Sequence, residues 1–358
     1  MFGELPKIFD RNFAVNYFLP VTAFLGLSYF LFSTYGLLPG FTHSIAQDFL
    51  KGAVTLSLFS YFGGVLLLIL SNDMYAFLSG KGKYNPFRLF QRFESRRFRK
   101  MLGEIERLDS EYLRYMEIGK DVPQKVTVTR NRLMGELAVE FPDRERLVLP
   151  TPFGNIMRSV EIYSRFIYGF DYFGGWSRML TVIPSDYRNI IEASKGQVDF
   201  WVNTYILSVL YMVEVLVVWR LTGNNILLIL AGSLIMLGSS FIIRAQSAAI
   251  SWGEYIASAF DVYRFKLLDL LGIKRPTTRE DEQMLWTRFS QATIYRRPDV
   301  LPDLEGSLTS TGQSTLQISL SDAPPQEKEK EVMYVTPPEV KIELITPYKV
   351  RKKKNMNS

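Results

Sequence analysis

Four long apolar runs constrain this chain more than any other feature: residues 17–38, 53–70, 200–221 and 226–243. Each is about 20 residues long, enough for an α-helix to cross a hydrocarbon layer ~30 Å thick. Inside lipid the backbone N–H and C=O groups find no water, so a spanning segment has to satisfy them within itself. The expected fold is an all-α integral membrane protein with four transmembrane helices in two hairpins. A mainly helical cytoplasmic domain lies between the second and third helices, and a disordered C-terminal tail ends the chain. The expected divisions are an N-terminus (1–16), a first hairpin (17–78), a domain (79–199), a second hairpin (200–243), a helical extension (244–297) and a basic-ended tail (298–358).

The ends of the runs carry their own signals. Lys7 and Arg11 precede the first, which is too long for a signal-peptide core and lacks an Ala-x-Ala site, so a retained helix is expected. Pro20 falls in its opening turns, where proline is tolerated, and Pro39-Gly40 ends it. The following loop holds His43, Asp48 and Lys51. In the second run Gly63-Gly64 either lets a neighbouring helix approach closely or merely reduces bulk, and Ser71-Asn72-Asp73 is expected to end it. Trp201 and Trp219 bracket the third run as interfacial anchors. A turn at Thr222–Asn225 leads to the fourth, where Gly232, Ser233, Gly238, Ser239 and Ser240 form a small-residue face.

Charge sets the expected orientation. Lys81, Lys83, Arg88, Arg92, Arg96, Arg97, Arg99 and Lys100 crowd the exit of the second run, which places that side and both termini in the cytoplasm. Arg96, Arg97, Arg99 and Lys100, with Lys352, Lys353 and Lys354 of the tail, are candidates for contact with anionic lipid. The net charge of +6 and pI of about 9.2 follow from such loops. No nucleic-acid recognition motif accompanies them, so no nucleic-acid partner is expected. The chain has no cysteine, which excludes disulfides, thiolate nucleophiles and cysteine-ligated metals, and its one histidine is His43. No metal site and no cofactor are expected.

Residues 149–180 interleave charges with aromatic rings. Thr151-Pro152 reads as an N-cap followed by proline at the first helical position, opening a helix over 152–166. On it Arg158, Glu161 and Arg165 recur at steps of three and four. They form either a solvated ion-pair row or a buried network, reaching Asp171 or Asp186. Arg178, Glu254, Asp261 and Arg264 complete the candidate network. Upstream, apolar residues at helical spacing predict a helix over 86–117. Residues 125–129 (KVTVT) read as a strand by propensity and 130–140 as a helix. Ser185 is expected to cap a helix that runs straight into the third span. The fourth span is expected to continue over 245–271 and stop at Gly272, and 277–295 to hold one further helix. In the tail, 333–335 and 340–345 are short β-prone islands suited to docking a partner.

Within the third run Glu214 lies among Tyr211, Met212, Val213 and Val215. An ionisable group at such a place is a functional candidate. Alternatively it reaches water near the outer end or pairs with Lys51 or Arg220.

Two stretches resemble a group of uncharacterised prokaryotic four-span membrane proteins. The first carries Leu149-Pro150-Thr151, Phe153-Gly154-Asn155, Arg158, Glu161, Tyr163, Tyr168-Gly169, Asp171, Trp176 and Arg178. The second carries Glu254-Tyr255, Ala259-Phe260-Asp261 and Tyr263-Arg264. The resemblance spans 149–272, with Met157, Ser177 and Met179 departing from the pattern. It implies the architecture above and a plasma-membrane location, and no activity.

Three functions compete on these residues. The first is a non-enzymatic membrane protein that anchors or organises cytoplasmic partners, the tail among its contacts, and self-associates. The second is a homo-oligomeric ion channel or transporter using Glu214, the Gly/Ser-rich fourth run and His43. The third, a membrane-bound hydrolase or transferase using Glu161, Asp171 or Asp261, has no paired-carboxylate spacing or metal motif behind it.

Overall fold

A computed structural model describes residues 11–37 and 49–297. His43, Asp48 and the whole tail, with Lys352, Lys353, Lys354 and both β-prone islands, lie outside the described residues. Those described contain helices and no strand. In order they are α1 (Arg11–Thr34), α2 (Phe49–Leu78), α3 (Gln91–Glu117), α4 (Gln124–Glu140), α5 (Pro152–Tyr168), α6 (Tyr172–Val182), α7 (Ser185–Thr222), α8 (Ile226–Leu271) and α9 (Arg279–Tyr295). Short 3₁₀ turns at Pro86–Phe90 and Glu145–Leu147 precede α3 and α5.

Four helices, α1, α2, α7 and α8, are long and apolar enough to cross a membrane. α1 packs on both α2 and α7, and α7 packs on α8 along most of its length. Gly63 meets α1 directly: a Cβ there would stand 2.7 Å from Val21 Cγ1. The glycine pair therefore marks a close helix crossing rather than simple loss of bulk. The expected small-residue face of α8 holds only in part. Gly238 faces Ser208 of α7, but Gly232 has open space beside it, and exposed Ser233, Ser239 and Ser240 bond to carbonyls of their own helix.

α7 has 38 residues and α8 has 46, about 57 Å and about 69 Å at 1.5 Å per residue. Both exceed a ~30 Å hydrocarbon layer, so each carries its apolar stripe out of the spans and into the core of the extramembrane domain. Phe170 and Phe260 meet edge to face at 5.3 Å, and Phe170 stacks on Trp286 of α9 at 4.1 Å. Ala245, Ala249 and Ala259 of α8 are fully buried, so small residues line the seam where α5, α6 and α7 close on it. Gly223 at φ +69° turns α7 into α8, and Gly272 at φ +67° ends α8, both in the left-handed region that glycine enters without cost.

Three local expectations fail, the first two for a tertiary reason. α2 does not stop at Ser71-Asn72-Asp73. Asn72 and Asp73 point outward while Met74, Tyr75 and Leu78 pack into the domain core, which carries the helix on to Leu78. Residues 125–129 are not a strand but the start of α4. Val126 is buried, Arg130 pairs with Asp109 of α3, and this helix-on-helix contact outweighs β-propensity. Ser185 does not cap α7. It is the first helical residue, Pro184 holds the cap position, and no side chain bonds to the helix start.

Gly175 lies against the ring of fully buried Phe170, and a Cβ there would overlap it. Gly175→Ala is expected to destabilise the protein by about 1–3 kcal/mol. Gly103→Ala, at a helical site with nothing nearby, should stabilise it by roughly 0.5–1 kcal/mol. Thermal unfolding in detergent separates the two, and equal melting temperatures would contradict this packing.

Candidate functional site

The residues of the 149–155 stretch form a latch between the end of α2 and the start of α5. Thr151 occupies the N-cap of α5, where its Oγ1 accepts from Gly154 N (3.0 Å) and donates to Leu78 O (2.7 Å). Gly154 leaves room for the chain after α2, since a Cβ would stand 2.5 Å from Ser79 O. Asn155 is wholly buried. Its Oδ1 accepts from Leu149 N (2.6 Å) and its Nδ2 donates to Glu94 Oε2 (3.0 Å). Glu94, 2% exposed, also lies 3.7 Å from Arg97. Burial pushes the Glu94 carboxyl above its ordinary value, while Arg97 and the Asn155 hydrogen bond pull it back in part.

The expected network splits into separate groups. Glu161 sits between Lys81 Nζ (2.9 Å) and Arg158 Nη1 (3.1 Å), a second tie from the end of α2 to α5. Arg165 leaves that group and reaches Asp171 at 3.7 Å. Arg165 is largely exposed, so this pair contributes only ~0–1 kcal/mol. Asp171 caps α6 by accepting from Phe173 N (3.0 Å), and Asp186 joins none of these groups. Arg178 donates to Gly174 O and lies over the Phe289 ring.

Asp261 and Arg264, one turn apart on α8, centre the most aromatic group. Tyr163 and Tyr168 of α5 both donate to Asp261 Oδ1, at 3.0 and 2.8 Å. The Arg264 guanidinium lies 4.1 Å from the Tyr168 ring centre and donates to Glu282 of α9. α5, α8 and α9 are thereby tied at one point. Burial, then the nearby Asp261 charge, raises the Tyr163 phenol well above its usual range. Burial, then the hydrogen bond to Asp261, pushes Tyr168 up to about 12. Both therefore stay protonated donors at neutral pH. Exposed Glu254 acts on Tyr163 through its charge alone.

Two polar groups join the spans. Asp199, 6% exposed, takes hydrogen bonds from Lys195 (3.0 Å) and from the Tyr75 hydroxyl. Asn203 Nδ2 donates to Asn16 O (2.8 Å) within a π-helical turn of α1, Ala14–Phe18. Further along α7, Glu214 Oε2 lies 2.7 Å from Ser28 Oγ of α1. The same hydroxyl is 2.9 Å from Phe24 O.

Sequence reasoning missed Glu94, Tyr75, Asp199 and Asn155 as site residues. Glu94 stands in a run of arginines that masks it. Of the basic residues proposed for lipid, Arg97 pairs with Glu94 and Glu140 and Arg99 with Glu145 (3.3 Å). Arg96 and Lys100 make no ion pair among the described residues. No three His, Asp or Glu side chains among the described residues come together to hold a metal.

The raised Glu94 pKa fixes the sign of a pH effect. The folded protein holds this proton more tightly than the unfolded chain. The resulting stability is fully present below the unfolded value near 4.5 and declines as pH rises from there toward the folded value. Glu94→Gln should flatten that decline in thermal scans between about pH 4 and about pH 7 and keep an acceptor for Asn155. Glu94→Ala leaves Asn155 Nδ2 unpaired and should cost about 1–3 kcal/mol. An unchanged pH profile in the Gln variant would refute this assignment.

No protein-family model, no curated protein and no solved structure matches this chain.

Proposed function

We propose that this chain is a non-enzymatic membrane protein that anchors or organises cytoplasmic partners and self-associates. The observation that carries this is the continuity of α7 and α8, which make the domain a direct extension of two membrane helices. Such a domain holds whatever binds it at a fixed place beside the bilayer. The engagement of the three candidate catalytic carboxylates supports the same function: Asp171 caps a helix, Glu161 pairs with two cations and Asp261 accepts from two phenols. In this proposal the spans form two hairpins in a prokaryotic plasma membrane, with the domain and both termini in the cytoplasm, as the basic run after α2 argues. Residues 298–358 then offer a peptide to partners. The chain belongs, on this view, with the four-span group it resembles.

The test is a paired capture from lysate with the full chain and with a chain lacking 298–358, alongside the oligomer mass of each. Selective loss of a captured cytoplasmic protein, with an oligomeric mass kept, is expected. A monomer that captures the same proteins with and without the tail would overturn the proposal.

A homo-oligomeric channel or transporter is favoured by one specific observation, the Glu214–Ser28 contact inside the spans. Ion flux into liposomes carrying the wild type or Glu214→Gln tests it. Flux that the substitution alters would establish this second function and displace the first. Absence of flux for common cations, anions and protons would remove it.

A further inference from the structure

Beside the spans the structure holds an apolar groove of about 310 Å³. Its sequence origin is the segment after α2, KYNPFRLFQRF, which interleaves rings with cations. Asn85 fixes that segment: its Oδ1 accepts from Phe87 N (2.9 Å) to open the 3₁₀ turn, and its Nδ2 donates to Phe77 O (2.7 Å) at the end of α2. Phe87, Phe90 and Phe93 line the groove together with Tyr205, Ile242 and Gln246 of α7 and α8, and Leu78, Glu94 and residues 150–153 complete the lining. The depth of the groove follows from the same two helices. The Arg244 guanidinium lies 5.3 Å from the Trp201 ring centre. Such an arginine–tryptophan pair suits the boundary between headgroups and acyl chains. Ile242 and Gln246 flank Arg244, and Tyr205 is one turn from Trp201, so the groove opens at that boundary.

The segment is poorly suited to water. Tyr84 is 90% exposed and Leu89 85%, and Phe90 and Phe93 are exposed as well. These large apolar groups lie next to the spans rather than on them, as expected of an element lying in the bilayer interface. Beside them Lys83, Arg88, Arg92 and Arg96 make no ion pair among the described residues, unlike Arg97 and Arg99. The groove thus offers an apolar slot beside a segment whose cations carry no ion pair; Arg88 Nη1 donates to Lys83 O (3.2 Å), and the one carboxylate in the lining, Glu94, is held by Asn155 and Arg97. An acyl chain alone would satisfy only the slot, and an acidic peptide only the cations.

We propose that this groove binds one anionic glycerophospholipid of the adjoining leaflet, with an acyl chain between Phe87–Phe93 and α7/α8 and the phosphate against Arg88 and Arg92. Arg96 and Lys83 extend the positive rim. The volume is at the low end for a small-molecule site and suits part of one chain rather than two. The inference goes beyond the proposed function and does not depend on which side of the membrane the domain occupies.

Native mass spectrometry of the full chain released from mild detergent, with dioleoyl phosphatidylglycerol or dioleoyl phosphatidylcholine added, tests it. The wild type should retain one phosphatidylglycerol in preference to phosphatidylcholine. Arg88→Gln with Arg92→Gln should lower that preference by about fivefold for each cation removed. Ile242→Trp, which fills the slot, should lose the retained lipid while keeping the wild-type melting temperature. If that variant unfolds, Gln246→Leu, which keeps the slot open, must retain the lipid. Equal retention of the two lipids, or a preference untouched by the arginine substitutions, would overturn the proposal. So would a change of oligomer mass in Ile242→Trp with lipid retention intact, which would assign the groove to a second copy of the chain.

Discussion

A bilayer offers the backbone no hydrogen-bond partner, and the rest of this structure depends on that constraint. It forces each spanning segment into helix, and in α7 and α8 the helix does not end where the lipid does. Side chains at the boundary are matched to this change of solvent. Arg244 lies over Trp201, Asn203 meets the Asn16 carbonyl, and Asp199 is held by Lys195 and Tyr75. Each is a polar group placed where water runs out and given a partner inside the protein, as burial demands.

The domain shares its main apolar core with these two helices and is latched to the end of α2. Thr151 and Gly154 bring the start of α5 onto the end of α2, Asn155 ties it to Glu94 of α3, and Glu161 adds an ion pair to Lys81. Once α5 is fixed there, its far end reaches α8 and α9 through Tyr163, Tyr168, Asp261, Arg264 and Glu282. The aromatic core of Phe170, Phe260 and Trp286 fills the space between. Polar specificity at both ends of α5 and apolar burial between them together give the domain one arrangement relative to the spans.

Most of this scaffold was legible in the chain. Length and hydropathy give the four spans, the absence of breakers gives the continuity of α7 and α8, and Thr151-Pro152 and Gly272 give true helix ends. What failed was local propensity in competition with burial. Ser71-Asn72-Asp73 carries stop signals, but the buried residues beyond it keep α2 helical. KVTVT favours a strand until α3 supplies a helical partner. The charge ladder of Arg158, Glu161 and Arg165 holds in part, as Arg158 pairs with Glu161 and Arg165 with Asp171, but spacing along one helix says nothing of the cations that other segments bring. Lys81 was such a cation, and Glu94 was hidden among arginines whose pairing only the fold decides.

The unbroken course of α8 from the spans into the domain is the central physical claim, and the cysteine-free chain allows it to be measured directly. Spin labels on Ser239→Cys and Val262→Cys, both at exposed positions, stand 23 residues apart, about 35 Å along a continuous helix. Pulsed electron-spin distances in lipid nanodiscs, with labelled protein diluted by unlabelled, should give one narrow distribution near that length. A broad or markedly shorter distribution would mean that α8 breaks at the membrane surface, and the domain would then hang from the bilayer rather than extend it.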